Sequence, residues 1–467
     1  MRDFLYRLIF KKKILLLGFG MEGQSTYKTL RKYFPDYFFS IADKDENILN
    51  KTDIYKKDRC VHFILGKDYL QSVNDFDLII KTPGISLNSI PISIDKDKIT
   101  SQTNIFLNLY SKQIIGITGT KGKSTTSSLI FNIIHSYTKN SILVGNIGIP
   151  PFDMIDNIDD KTIIVSELSS HQLEYISKSP HIAILLNLFQ EHLDHYKGFQ
   201  EYQLSKFNIT RYQHKNDYFI FHKDDLSIST LLDKYKIKSQ ILPFSHISKL
   251  KLGAYFNKNS IRLNINNRVS FLYTITNNLY LKGHHNLLNI MAAIIACKIK
   301  KIPDGYIQEG VTNFKGLEHR IEYIGKYNDI LYYDDSIATV PEATIEAVKT
   351  LKKVNTIILG GFDRGINYSD LAWFLINTKI KHLIFIEEAG IRILSELKKL
   401  KNISSQEYFS VDNFNEAIKI AKVKTKKNSI CLLSPAAASY GMFKNFEERG
   451  NLFKQLIMFS DNNFDKQ

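Results

Sequence analysis

The feature that most constrains this chain is a short apolar strand, Gln113–Ile117, running directly into Thr118-Gly119-Thr120-Lys121-Gly122-Lys123-Ser124-Thr125 and then into a helical pattern that reaches about His135. A strand that breaks at glycines and restarts as a helix belongs to a parallel α/β sheet. The backbone N–H groups of such a loop, with the helix N-terminus behind them, form a cradle for polyphosphate. Gly119, Thr120, Lys121, Gly122, Lys123, Ser124 and Thr125 are therefore the candidate ATP-binding residues, with Lys123 placed for the β/γ-phosphates and Ser124 for Mg²⁺. The spacing G-x-x-G-K-S is tighter than the general phosphate-loop pattern.

Two further strands end in chemistry. Thr162–Val165 leads to Ser166-Glu167, and His181–Asn187 leads to Glu191-His192-Leu193-Asp194-His195. In an open parallel sheet the carboxyl ends of the strands share one edge, so Glu167 and His192 are expected beside the phosphate loop as Mg²⁺ ligands. Asp194 and His195 compete with His192 for that role. Lys206, on the next helix, reads by itself as a solvated lysine.

Ahead of this, Lys13–Leu17 is a buried strand followed by Gly18-Phe19-Gly20-Met21-Glu22-Gly23, a helix, and a second strand, Tyr37–Ile41, that ends at Asp43. Gly18, Gly20 and Gly23 with Asp43 make a dinucleotide-type fingerprint, in which glycines admit phosphate and the carboxylate takes ribose hydroxyls. On its own it fits an NAD-dependent oxidoreductase. A strand at Phe76–Ile80 closes on the turn Lys81-Thr82-Pro83-Gly84-Ile85. Residues from about Asp217 to Thr276 read as peripheral antiparallel strands without chemistry. The last segment places short strands at Ile330–Tyr333, Thr356–Leu359, His382–Ile386 and Ile430–Leu433, separated by helical patterns such as Pro341–Leu351. Arg364, in Gly360-Gly361-Phe362-Asp363-Arg364, suits bidentate pairing with a carboxylate.

The order Gly119–Thr125, Glu167-Leu168-Ser169-Ser170-His171-Gln172-Leu173-Glu174, His192-x-Asp194 and Lys206 resembles the Mur ligases, ATP-dependent amide-forming enzymes of peptidoglycan synthesis. Gly283-His284-His285-Asn286-Leu287-Leu288-Asn289, Gly316–Arg320, Leu433–Ser439 and Phe443–Gly450 carry the resemblance to the end of the chain. It implies a three-domain α/β protein: a Rossmann-like UDP-binding domain over 1–110, a central phosphate-loop ATPase sheet over 111–316, and a Rossmann-like glutamate-binding domain over 317–467. It also implies roles. Lys123, Ser124, Glu167, His192 and Lys206 would form the catalytic and metal centre, with two Mg²⁺ ions and Lys206 carbamylated by CO₂ to become an anionic ligand. Asn286 and Asn289 would face adenine, and Arg320 and Asp335 would approach the nucleotide. The UDP moiety would lie against Gly18, Gly20, Gly23, Asp43, Thr82, Pro83 and Gly84, and Asn146, Ser169 and Gln172 would hold the muramoyl-alanine part. Thr339, Arg364, Ser439 and Phe446 would surround glutamate.

The activity implied is ATP-dependent addition of glutamate to UDP-N-acetylmuramoyl-L-alanine through an acyl phosphate. D-Glutamate is the expected amino acid. Ile337, Arg364 and His171 depart from the common pattern of D-glutamate ligases, and a subgroup adding L-glutamate is similar in the Asp335-Ser336-Ile337 and Gly360–Gly365 segments. Folylpolyglutamate synthase shares the machinery but usually begins near the phosphate loop, and the oxidoreductase reading leaves Lys123, Glu167 and His192 idle.

Length and composition agree with this reading. At 467 residues the chain has room for about three domains. Lys+Arg 62 against Asp+Glu 47 gives +15, which raises a nucleic-acid-stimulated ATPase as a rival. The basic residues are scattered and no aromatic-interleaved basic stripe exists, so no nucleic-acid partner is expected. Cys60, Cys297 and Cys431 offer no metal-binding pair. No stretch approaches the ~18–20 apolar residues of a membrane helix, and the run after Lys11–Lys13 is too short for a signal peptide. A cytoplasmic monomer is expected.

Overall fold

A computed structural model describes residues 1–50, 57–86, 88, 90, 94–147, 149–191, 195–265, 268–275, 280–281, 283–400 and 405–458. The chain divides into two compact units, Met1–Phe314 and Lys315–Gln467.

The first unit contains two sheets. β1 (Ile14–Leu17), β2 (Phe39–Asp43), β3 (Val61–Leu65), β4 (Leu78–Lys81) and β5 (Ile99–Thr100) are all parallel, in the order β3-β2-β1-β4-β5. The second sheet comprises β6 (Ile114–Thr118), β7 (Ser141–Gly145), β8 (Ile163–Glu167), β9 (Ile182–Leu185), β10 (Tyr218–His222), β11 (Gln240–Ser245), β12 (Gly253–Asn257), β13 (Ser260–Ile265) and β14 (Arg268–Thr274). Its order is β14-β13-β12-β11-β10-β9-β6-β8-β7, parallel from β7 across to β12 and antiparallel from β12 to β14.

This corrects the expectation of peripheral antiparallel strands over Asp217–Thr276. Tyr218–His222 pairs parallel with β9 on one side and β11 on the other, and Leu226–Lys234 between β10 and β11 is a helix. The residues Phe219, Ile220 and Phe221 are all buried, as a strand covered on both faces requires, so the apolar run marks an interior parallel strand. Only β12–β14 form the antiparallel edge.

β6 lies between β8 and β9, so the chain builds β7 and β8 on one side of it before crossing to β9 and β10 on the other, and the switch opens a crevice at its carboxyl end. The helix Lys123–Tyr137 starts there. One continuous buried cluster runs through both sheets of the unit, from Leu5, Ile14, Ile41 and Ile80 through Ile105, Phe106 and Leu107 to Ile164, Leu173, Leu185 and Phe219.

The second unit is a six-stranded sheet of β15 (Glu322–Tyr327), β16 (Ile330–Asp334), β17 (Val354–Gly360), β18 (His382–Ile386), β19 (Glu407–Val411) and β20 (Ile430–Leu433), ordered β15-β16-β20-β17-β18-β19. All its pairings are parallel except that of β15 with β16. The architecture is thus α/β with doubly wound, parallel-dominated sheets. Cys297 and Cys431 are buried free thiols, and no described helix is long and apolar enough to cross a membrane.

Candidate active site

The phosphate loop is held in shape by its neighbours. Asn187, just past β9, accepts from the Lys121 N–H at 2.8 Å and donates from its amide to the Lys121 carbonyl at 3.0 Å. Thr120 donates its N–H to the Asn187 carbonyl, and its hydroxyl accepts from the Phe189 N–H and bonds the Tyr202 phenol at 2.9 Å. Gly122 caps the helix at φ +85, a left-handed conformation, and the space a Cβ would need there is filled by the Asn289 carboxamide. Asn289 in turn donates to Asn286 at 3.1 Å, so the helix His284–Ile299 is seated directly on the loop. The Lys123 amine donates to the Thr120 carbonyl, and Lys121 pairs with Glu191 at 2.7 Å. Ser124 and Thr125 follow in the first helical turn, whose N–H groups have no helical acceptor and suit an anion.

β8 delivers Glu167, which is 1 % exposed. Its Oε1 accepts from the Asn146 amide at 2.8 Å, and its Oε2 is buried without a hydrogen-bond partner among the described residues. Lys206, 2 % exposed, donates to the Gly119 carbonyl at 2.9 Å and lies over the Tyr202 ring. Burial and the neighbouring Lys123 ammonium push its pKa well below the usual lysine range, against the opposing pull of Glu191 and Glu167. A buried carboxylate oxygen left without a partner among the described residues, on the strand paired with the one that opens into the phosphate loop, fits a divalent cation, a hard ion that takes oxygen ligands. His192 lies outside the described residues.

In the first sheet, Gly18 has φ +93, and a Cβ there would collide with the Thr82 hydroxyl, while Gly23 packs on the Gly18 carbonyl. Gly20 caps its helix with open space beside it. The Asp43 carboxylate accepts from the Phe19 N–H at 2.6 Å and from the Asp45 N–H at 2.9 Å, so it braces the glycine turn. Thr82 bonds the Leu17 carbonyl through both N–H and hydroxyl, and Pro83 and Gly84 form the outer part of that turn. Ser169 and Gln172 form a reciprocal capping box, and the Gln172 amide reaches Glu22 at 2.5 Å.

The second unit gathers the remaining candidates at the carboxyl ends of its strands. Asp335 is buried and accepts from the Ser434 hydroxyl and the Ile321 N–H; burial raises its pKa to about 7. Arg320 is exposed and lowers that value through its charge. Arg364 is exposed and donates to the Thr339 carbonyl at 2.7 Å. Ser439 is buried, and the Phe446 carbonyl accepts from the Ser336 hydroxyl.

Several supporting residues escaped sequence reasoning. Asn187 was legible only as a strand end. Arg449, fully buried, donates to the Ser336 hydroxyl and carbonyl and to the Ala437 and Ala438 carbonyls, tying together two loops of the second unit. Lys81, 1 % exposed, donates to the Thr82 and Ile85 carbonyls and faces Glu174 at 4.0 Å. Glu174 bonds His195 at 2.7 Å, which assigns His195 to this buried cluster. Nothing in the sequence distinguishes a buried lysine or arginine from an exposed one when each closes a strand or opens a helix.

A phosphate loop at the crevice of a doubly wound sheet, with a buried acid and a buried amine beside it, defines a nucleoside-triphosphate-dependent enzyme of the α/β class. The family model described as the Mur ligase middle domain matches residues 117–297, and the one described as Mur ligase, glutamate ligase domain, matches residues 319–437. The chain belongs to the Mur ligase family, whose members are ATP-dependent ligases that use Mg²⁺. It is 33% identical over 457 residues to the UDP-N-acetylmuramoylalanine–D-glutamate ligase of Clostridium tetani, covering 97% of each chain. It is 35% identical over 458 residues to the enzyme of the same name from Christiangramia forsetii, covering 96% of this chain and 99% of the other. Among solved structures, MurF ligase from Thermotoga maritima in complex with ADP superimposes with a TM-score of 0.55 at 16% identity, covering 98% of this chain and 99% of that one. UDP-N-acetylmuramate-alanine ligase MurC from the same organism gives 0.54 at 18% identity, covering 95% and 98%.

Proposed function

We propose that the protein joins glutamate, in its D form, to the alanine carboxylate of UDP-N-acetylmuramoyl-L-alanine at the expense of ATP, as a cytoplasmic monomer in peptidoglycan synthesis. The observation that carries this reading is the cluster of Lys123, Glu167 and buried Lys206 around one phosphate loop.

The chemistry is carboxylate activation. The alanine carboxylate attacks the γ-phosphorus, ADP leaves, and the α-amine of glutamate displaces phosphate from the acyl phosphate, losing a proton as the amide forms. Two anions must meet, so fixed positive charge supplies most of the stabilisation. The N–H groups of Lys123, Ser124 and Thr125 in the first helical turn and the Lys123 ammonium would hold the β- and γ-phosphates. Ser124 and Glu167 would hold Mg²⁺, which neutralises polyphosphate charge when bound. Asn146 orients Glu167 by bonding its other oxygen. A second ion is assigned to His192 and to Lys206 as its carbamate. Carbamate formation needs a neutral amine, whose lone pair attacks CO₂ with release of one proton. The desolvated position of Lys206 beside Lys123 favours that neutral amine. Asn286 and Asn289 are assigned to adenine, Arg320 and Asp335 to the nucleotide, and Arg364, Thr339, Ser439 and Phe446 to glutamate. The turns of Gly18–Gly23, Asp43 and Thr82–Gly84 are assigned to UDP, with Asn146, Ser169 and Gln172 near the muramoyl-alanine part.

The deciding assay is ADP release with UDP-N-acetylmuramoyl-L-alanine and either D- or L-glutamate. Turnover with D-glutamate supports the proposal. Turnover with L-glutamate alone reassigns the amino acid, and release that needs neither substrate overturns the ligase reading.

A further inference from the structure

One side-chain cluster in the first unit has chemistry that the phosphate-loop site does not use. β10 ends on His222, Asp224 follows two residues later, and His246 lies one residue past the end of β11. Nε2 of His222 stands 3.4 Å from Oδ2 of Asp224, and Nδ1 of His246 stands 3.5 Å from the same oxygen. His222 is 9 % exposed, and both of these ring nitrogens are buried without a hydrogen-bond partner among the described residues.

Those separations exceed the 2.7–3.2 Å of an N–H···O bond. They match the edge of a tetrahedron around a zinc-type ion, which at bond lengths of ~2.0–2.1 Å is about 3.3 Å. All three ligand atoms lie within 4.8 Å of one another. A second group, His319, Glu322 and Asp334, is as compact but differs in kind. There the His319 ring bonds Asp334 at 2.6 Å, the His319 N–H bonds Glu322 at 2.7 Å, and Glu322 also pairs with Lys454, so its atoms are satisfied without an ion.

The surroundings of the open cluster suit a metal. Both oxygens of Asp224 accept from the Ser245 hydroxyl, at 2.9 and 2.8 Å, which fixes the carboxylate as an outer-shell partner does. The His222 ring stacks on Phe244. Two imidazoles and one carboxylate select a borderline ion such as Zn²⁺ over Mg²⁺.

We propose that His222, Asp224 and His246 form a transition-metal site of the Zn²⁺ type, separate from the Mg²⁺ chemistry of the phosphate loop. The site pins the ends of β10 and β11. Its rim also meets the start of the helix that carries Asn286 and Asn289, since the His284 ring lies 5.8 Å from that of His246.

The test uses the full-length protein, stripped with a chelator and titrated with Co²⁺ in saturating Mg²⁺ without nucleotide, against the double variant His222→Gln/His246→Gln. The wild type is expected to show the visible bands of tetrahedral Co²⁺ and to retain one more equivalent of Co²⁺ or Zn²⁺ after gel filtration than the variant. Equal retention, or no tetrahedral bands in the wild type, overturns the proposal. Should the double variant fail to fold, His246→Gln alone serves, because that ring lies on the more accessible rim. Its retention must fall likewise, with an unchanged circular dichroism spectrum as the fold control, and unchanged retention overturns the site.

Discussion

The amine of Lys206 donates to the carbonyl of Gly119 at 2.9 Å, so a buried lysine grips the first residue of the phosphate loop. Lys206→Ala is expected to lower ADP release by about 10³-fold, a loss typical of removing a preorganised electrostatic group. Short-chain carboxylic acids, able to occupy the vacated space as an anion, should restore part of the rate. Near-full activity without added acid would dismiss the carbamate.

Lys123 opens the helix and faces the loop through Thr120. Lys123→Ala should abolish ADP release while leaving the unfolding curve within ~1 kcal/mol of wild type, since its bond to one carbonyl is worth little more. Normal turnover would remove the phosphate-loop assignment.

Asn187 bonds both the N–H and the carbonyl of Lys121. Its replacement by alanine leaves two loop groups to find water and frees the cradle to sample other shapes. Stability should fall by about 1–3 kcal/mol. KM for ATP should rise several-fold, more than kcat falls, as steady-state kinetics would show.

Lys81 gives a pH signature. Burial lowers its pKa to about 8, with Glu174 and Glu22 opposing that shift. The folded chain therefore binds fewer protons at this site than the unfolded chain between about pH 8 and 10.5, and stability contributed there rises with pH across that window. Denaturant melts of wild type and Lys81→Met should diverge accordingly. The wild type should gain on the variant between pH 8 and 10, by an amount of order 1–3 kcal/mol. A difference independent of pH would show that the amine keeps its ordinary pKa.

Arg449 donates to Ser336, Ala437 and Ala438 with no exposed surface. Arg449→Met should destabilise the second unit by about 3 kcal/mol or more, because three buried carbonyls and a hydroxyl lose a donor at once. Calorimetry of the full chain would read the change.

The parts of this molecule that sequence reading recovers are those in which local pattern and chemistry coincide. The phosphate loop is legible because glycines, lysine and serine occupy consecutive positions between a strand and a helix. Glu167 is legible because it ends a strand of the same sheet. Arg449, Lys81 and Asn187 are not, since their partners lie across the fold and their residue types are ordinary at their positions. The stretch from Asp217 to Thr276 departs from its sequence pattern for a related reason. Its second half does form the antiparallel β12–β14 edge, whereas Phe219–Phe221 is paired parallel on both sides and buried on both faces, which tertiary packing alone decides.

The buried cluster shared by the first two sheets also decides what a cut in the chain would do. Severing the chain near residue 110 would strand Ile105, Phe106 and Leu107 on one fragment and Ile114, Leu173 and Ile176 on the other, each with its apolar face in water. Cutting there is therefore expected to destabilise both fragments of this chain, and the two sheets should melt in one transition.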